Sequence, residues 1–227
     1  MGSERETASL SAKELVFRTL RQRIVEGIYS PGEKILDKQI ASELDVSRTP
    51  VREAIQVLVA QRFLDSFPRV GTVVSTIKKE DVFMLYRPLA AIQALAVEVA
   101  IEKITAEQIA ALSLLNREFH DAVSQHNTQA AMEADKEFHD VIVTIADNPY
   151  ITDASVNLQM HVQRLEYIFF KHVPIFTESL LEHDLIINSF HLRNPVIGRE
   201  AMSRNWHRPM NILYQLLLEQ EKDHLQI

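Results

Sequence analysis

The sequence predicts a mainly α-helical protein: an N-terminal winged helix-turn-helix followed by an antiparallel helical bundle. Three observations carry that expectation. Five glycines and eight prolines in 227 residues are too few for the tight turns of a sandwich or barrel. Apolar residues recur at three- and four-residue spacing through most of the chain. Only the first third interrupts that rhythm, with two short alternating segments around a turn. A hydrophobic content of 46% beside 24% charged residues fits a packed core.

Residues 1–9 read as a polar tail, 10–76 as the winged-helix domain and 77–227 as the helical domain. Ser11 with Glu14 forms a capping-box pattern. Val16, Leu20 and Ile24 follow at helical spacing, and Gly27 closes this first helix. "YSPGEKIL" is a turn and a short extended piece, and "DKQIASEL" a short helix with Asp37 as its N-cap. "DVS" is a tight turn in which Asp45 tolerates the left-handed conformation. The third helix is expected to start with Thr49 as N-cap and Pro50 at its first position. Val51, Ala54, Ile55 and Leu58 give it one buried face, with Arg48, Thr49, Arg52 and Gln56 pointing elsewhere. "FLDSFPRVGTVVST" reads as a hairpin with Arg69 and Gly71 at its tip. "STIKKED", residues 75–81, is the expected linker. Beyond it lie long amphipathic helical runs, with a cap at Thr105 and Gln108 and a stop at "DNPY", residues 147–150. Pro88 is expected to mark an early helical turn.

Composition narrows the function. Without cysteine there is no disulfide, thiolate metal site or cysteine nucleophile. No uninterrupted apolar run approaches membrane length. Together with a polar N-terminus, that predicts a cytoplasmic protein without a membrane partner. The formal charge of −7 is unevenly placed. Residues 1–78 hold 12 Lys and Arg against 10 Asp and Glu, and the remainder 12 against 21. An acidic total therefore leaves room for one local face that attracts DNA.

"DVSRTPVREAI", residues 45–55, is the best candidate for that face. A second helix started by hydroxyls and arginines can enter the major groove. Ser47, Thr49 and the free N–H groups of the first turn suit phosphate oxygens. Arg48 and Arg52 can each read guanine through a bidentate contact. On residue types alone, the stretch is equally a well-capped surface helix.

A second constellation lies in the helical domain. Asp135 and His139 are four apart, on a face shared with Phe138 and Ile142. His183 is placed likewise, with Ile186, Ile187 and Phe190 behind it. A carboxylate and two imidazoles on apolar faces need hydrogen bonds or a cation. The spacing admits both a divalent transition metal and a hydrogen-bonded core pair.

The stretch "IASELDVSRTPVREAIQVL" resembles the winged-helix signature of the GntR family of bacterial transcription regulators, and "RVGTVV" resembles its wing. "ADKEFHDVIVTIADNPYI" and "EHDLIINSF" resemble the all-helical effector (FCD) domain of the FadR-like branch. The resemblance implies a homodimer that binds an operator in double-stranded DNA, probing it through Lys38, Ser47, Arg48, Thr49, Arg52 and Gly71. Lys38 stands where an arginine is usual, which implies a phosphate contact. It implies a zinc, nickel or manganese ion held by Asp135, His139 and His183. Asn205 stands where a further histidine is usual, with His207 two residues on. It also implies a small-molecule effector. The usual Arg-x-x-x-Glu pair reads Leu89 and Gln93 here, which favours a larger or neutral effector, with Arg164 as another candidate contact. The expected function is an effector-controlled regulator, most simply a repressor. The alternatives are a DNA-binding dimer whose second domain no longer senses, and a metal-dependent enzyme built on Asp135, His139 and His183.

Overall fold

The computed structural model describes residues 11–169 and 177–224, so the expected polar tail falls outside the described residues. Contacts divide the chain into one unit ending at Ile77 and a second beginning at Lys78.

In the first unit, α1 (Ala12–Val25) packs Val16, Leu20 and Ile24 inward. Ser11 Oγ accepts from the Glu14 N–H at 3.2 Å. The Glu14 carboxylate turns to Arg18 at 2.9 Å. Gly27, just past the helix, takes φ +72°, as a glycine stop requires. Two boundaries differ from expectation. The second helix, α2 (Asp37–Glu43), is preceded by Leu36 as N-cap, and Asp37 is its first residue. The third, α3 (Arg48–Ala60), starts one residue after Ser47 and not after Thr49. Either hydroxyl residue could stand at the cap in a sequence reading. Pro50 still lies in the first turn, where its missing N–H has no helical partner to lose.

The extended piece β1 (Lys34–Ile35) joins the hairpin strands β2 (Leu64–Phe67) and β3 (Gly71–Val74). The antiparallel order is β1-β3-β2, with Ile35 opposite Thr72 and Phe67 opposite Gly71. Val51, Ala54 and Leu58 of α3 are buried with Phe63, Leu64 and Val74, which fixes the wing against the helix.

The second unit is a helical bundle: α4 (Lys79–Lys103), α5 (Ala106–Ser124), α6 (Thr128–Ala146), α7 (Pro149–Phe169), α8 (Thr177–His191) and α9 (Pro195–His224). Asp81 Oδ2 accepts from the Lys78 N–H at 2.8 Å, so the last residues of the expected linker are already helical. Pro88 lies well inside α4, not at its start. It leaves the Met84 carbonyl without its helical donor, and Met84 faces solvent, where water can serve that group. By length and composition α4 could cross a membrane, which counting uninterrupted apolar runs did not anticipate. Its Val82, Tyr86, Leu89, Ala96, Val97 and Ala100 are buried instead against α6, α7 and α9.

Gly198 sets how closely α9 can approach α4 and α8. A Cβ there would stand 2.6 Å from Val97 Cγ1 and 2.6 Å from Ser189 Oγ. Gly198→Ala should therefore destabilise the protein by about 1–3 kcal/mol despite alanine's better helix propensity. A denaturant titration that shows equal or greater stability would contradict this packing.

Candidate functional site

The residues expected to meet DNA all lie in the first unit and are exposed. Ser47 caps α3 through its backbone and makes no side-chain cap bond, so its hydroxyl is not committed there. Lys38, Ser47, Arg48, Thr49 and Arg52 are all exposed. Arg69 and Gly71 lie at the turn between β2 and β3, with φ of +67° and +106°. At Gly71 a side chain would be strained and would stand 3.2 Å from Lys34 Cε. Asp37, expected only to cap α2, instead reaches both Arg48 and Arg52. Arg48 Nη2 donates to its two oxygens at 3.0 and 2.8 Å, and Arg52 Nε donates at 2.8 Å. No sequence spacing announces that contact, because it crosses the turn between two helices.

In the second unit, α6 and α8 bring Asp135, His139 and His183 together, with all candidate ligand atoms within 4.8 Å of one another. His183 Nε2 is 3.4 Å from Asp135 Oδ1, and His139 Nε2 is 3.9 Å from Asp135 Oδ2. Both imidazoles are wholly buried. The His183 ring stacks on Phe138 at 4.0 Å, and the His139 ring lies 4.6 Å from Trp206.

The protonation of His183 follows from its neighbour on α5. Asn116 Nδ2 donates to Asp184 Oδ1 at 2.8 Å, so its Oδ1 is the atom 3.1 Å from His183 Nδ1. That oxygen can only accept, so Nδ1 carries a proton, and Nε2 is the ring atom that faces Asp135. Among the described residues, His183 Nε2 and both His139 nitrogens have no partner in good hydrogen-bond geometry, with Asp135 and Asn205 as their nearest polar neighbours. Burial drives His139 down to about 4, against the pull of Asp135, so this imidazole is neutral at pH 7. Burial pushes the Asp135 carboxyl up, but His183, His139 and Arg208 outweigh it and hold it below its usual value. One carboxylate faces two buried imidazole nitrogens here, and these three groups could hold a cation between them.

Asn205, on α9, is buried and lies within side-chain hydrogen-bonding reach of His139. Its Nδ2 donates to Glu182 Oε2 at 3.1 Å, which leaves Oδ1 to face the other way. Glu182 is fixed in turn by Arg208, whose Nη2 donates to it at 3.1 Å. His207 is not brought round: its Nδ1 lies 3.2 Å from Ser203 Oγ on another side of α9. His191, which stands eight residues past His183, is exposed.

The expected effector contacts are all buried: Leu89 wholly, Gln93 wholly and Arg164 nearly so. Gln93 ties helices together. Its Nε2 donates to Ser155 Oγ and Gln159 Oε1, and its Oε1 accepts from Trp206 Nε1 at 2.9 Å. Sequence reasoning missed Glu166, whose Oε1 accepts from the Tyr86 hydroxyl at 2.9 Å. Burial, with the Asp135 charge behind it, pushes Glu166 up to about 8. The folded protein then keeps a proton that the unfolded chain loses near 4.5. Stability contributed by this group is full below that pH and falls as pH rises toward 8. Glu166→Gln should flatten the decline in melting temperature across this window in chelator-treated protein. Parallel wild-type and variant curves would contradict it.

Together, a winged helix with an arginine-framed reading helix and a helical bundle around a buried polar centre define a DNA-binding regulator with an effector domain. Comparison with known proteins makes this specific. The description "Bacterial regulatory proteins, gntR family" matches residues 12–74, and "FCD domain" matches 84–208. The chain belongs to the FCD-containing branch of the GntR family of transcription regulators. It is 27% identical over 190 residues to the HTH-type transcriptional repressor RspR of Escherichia coli, covering 84% of this chain and 83% of that one. It is 23% identical over 212 residues to the gluconate operon transcriptional repressor of Bacillus subtilis, covering 89% and 85%. Among solved structures it is similar to E. coli McbR/YncC, with a TM-score of 0.80, 21% identity, and coverage of 91% and 99%. The chain is therefore a transcription regulator, and the enzyme reading of Asp135, His139 and His183 is not favoured.

Proposed function

We propose that the protein is a homodimeric, cytoplasmic repressor whose operator affinity is set by a small molecule bound beside a divalent transition metal. The operator is contacted by Lys38, Ser47, Thr49, Arg69 and the Gly71 backbone at phosphate or groove edge, and read by Arg48 and Arg52. The metal is zinc, nickel or manganese, held by Asp135, His139, His183 and Asn205 Oδ1. The observation that supports it most is the pair of buried imidazoles whose Nε2 atoms lie 3.4 and 3.9 Å from the oxygens of one carboxylate, Asp135. Ligand atoms about 2.1 Å from one ion stand roughly 3–4 Å apart, which these separations approach. Asn116 plays the part of the hydrogen-bond partner that fixes a ligating histidine's tautomer. Glu182 does the same for the amide of Asn205.

A duplex selected from a random pool by the full-length protein should be protected over two half-sites about one helical turn apart. Its affinity should change when the loaded metal is removed by chelation, because a ligand shifts an equilibrium only by binding its two states unequally. Protection of a single half-site would reject the dimer. Affinity indifferent to metal and to metal-chelating organic ligands would favour the reading in which the second domain no longer senses.

A further inference from the structure

We propose that Asp37 is a specificity-determining residue: its carboxylate holds Arg48 and Arg52 in reading position and weakens their grip on random DNA. The inference rests on the assignment of Arg48 and Arg52 as base readers. Asp37 lies in the first turn of α2, opposite the start of α3. One of its oxygens takes Arg52 Nε at 2.8 Å, and both take Arg48 Nη2 at 3.0 and 2.8 Å. The pairing leaves much of each guanidinium in solvent, with 53% and 62% of the two side chains exposed. Arg52 keeps its Nη1 and Nη2 edge free, and Arg48 keeps Nε and Nη1. Each can therefore still offer donors to a guanine edge while bound to Asp37. The two arginines, Arg52 first, hold the Asp37 carboxyl below its usual value, so it is ionised at neutral pH.

Two consequences follow, and they act in opposite directions on the two kinds of DNA. Fixing a guanidinium before binding removes ordering entropy from the specific contact, where geometry matters. Setting one negative charge against two positive ones lowers the pull on phosphates, which is nearly all of the attraction to random sequence. A purely structural pair at this exposure would contribute only about 0–1 kcal/mol to folding and would leave discrimination alone.

The test uses the full chain and two probes: a duplex selected from a random pool by the wild-type protein, and poly(dI-dC). Dissociation constants are measured at several salt concentrations for wild type, Asp37→Asn, Asp37→Glu and Arg52→Ala. Asp37→Asn should bind poly(dI-dC) about 3- to 10-fold more tightly, with a salt slope steeper by about one released counterion. Its affinity for the selected duplex should not improve, so the ratio between probes falls by at least about 3- to 10-fold. Asp37→Glu, which keeps the charge, should recover most of that ratio. An Asp37→Asn protein with an unchanged ratio and a lower melting temperature would show that Asp37 only joins two helices, and would overturn the proposal. Arg52→Ala that keeps full discrimination would overturn the base-reading assignment and this inference with it. Arg52→Ala that loses discrimination beside an Asp37→Asn that keeps it would overturn the Asp37 role alone.

Discussion

Arg52→Ala should lower affinity for a selected operator about 10- to 100-fold while changing affinity for random DNA about threefold or less. The larger effect is the value of one good bidentate base contact, about 1–3 kcal/mol. The smaller one is the loss of a single charge from a surface where phosphate contacts add up. Arg52 stands one turn into α3, behind Val51 and ahead of Ala54, both of which are buried. The helix is therefore anchored on its other face, and an exposed side chain can be removed without disturbing it. Gel-shift titrations on both probes, with circular dichroism as a folding control, measure the two effects side by side. A uniform loss on both probes would move Arg52 from base reader to phosphate contact.

His183→Ala should weaken metal binding by at least about 100-fold. The substitution removes the Nε2 that faces Asp135 and also the ring stacked on Phe138. Titration calorimetry with manganese, nickel and zinc reads the loss directly. Two companions separate ligation from packing. Asn116→Ala leaves every proposed ligand in place but releases the His183 tautomer, and should cost about 10- to 100-fold. Asn205→His replaces an amide oxygen with an imidazole nitrogen and should tighten zinc and nickel more than manganese, since nitrogen donors suit the former pair. Wild-type affinities retained by His183→Ala would place the ion elsewhere or nowhere.

Much of the winged helix was legible because its signals are local. The glycine stop at Gly27, the left-handed Asp45 and the apolar spacing of Val51, Ala54 and Leu58 each depend on neighbours within one turn. The start of α3 was displaced because Ser47 and Thr49 both carry the hydroxyl that signals a cap. Asp37 was misread for the opposite reason: its partners lie 11 and 15 residues on, across a turn whose geometry no spacing reports.

The grouping of Asp135, His139 and His183 was legible in the sequence, and the residues that support them were not. Asp135 and His139 share a face by simple periodicity, and His183 repeats the pattern. Asn116 left a readable signal, since it sits among Ile109, Leu112 and Phe119 on the buried face of α5. Glu166 left a similar one, following Val162 and Leu165 on α7. Their partners could not be read, because Asp184 and Tyr86 belong to other helices. Gln93 shows the limit of arguing from a substituted position. In place of an acid-binding partner, this chain has a residue that joins α4 to α7 and α9.

The measurement that tests the central claim most directly is anomalous scattering from crystals of untagged, full-length protein purified without chelator. About one ion per chain is expected, bounded by Asp135, His139 Nε2, His183 Nε2 and Asn205 Oδ1. Crystals soaked in zinc, nickel and manganese that show no anomalous peak there would contradict a metal-dependent sensor and leave the buried imidazoles without the cation their geometry calls for.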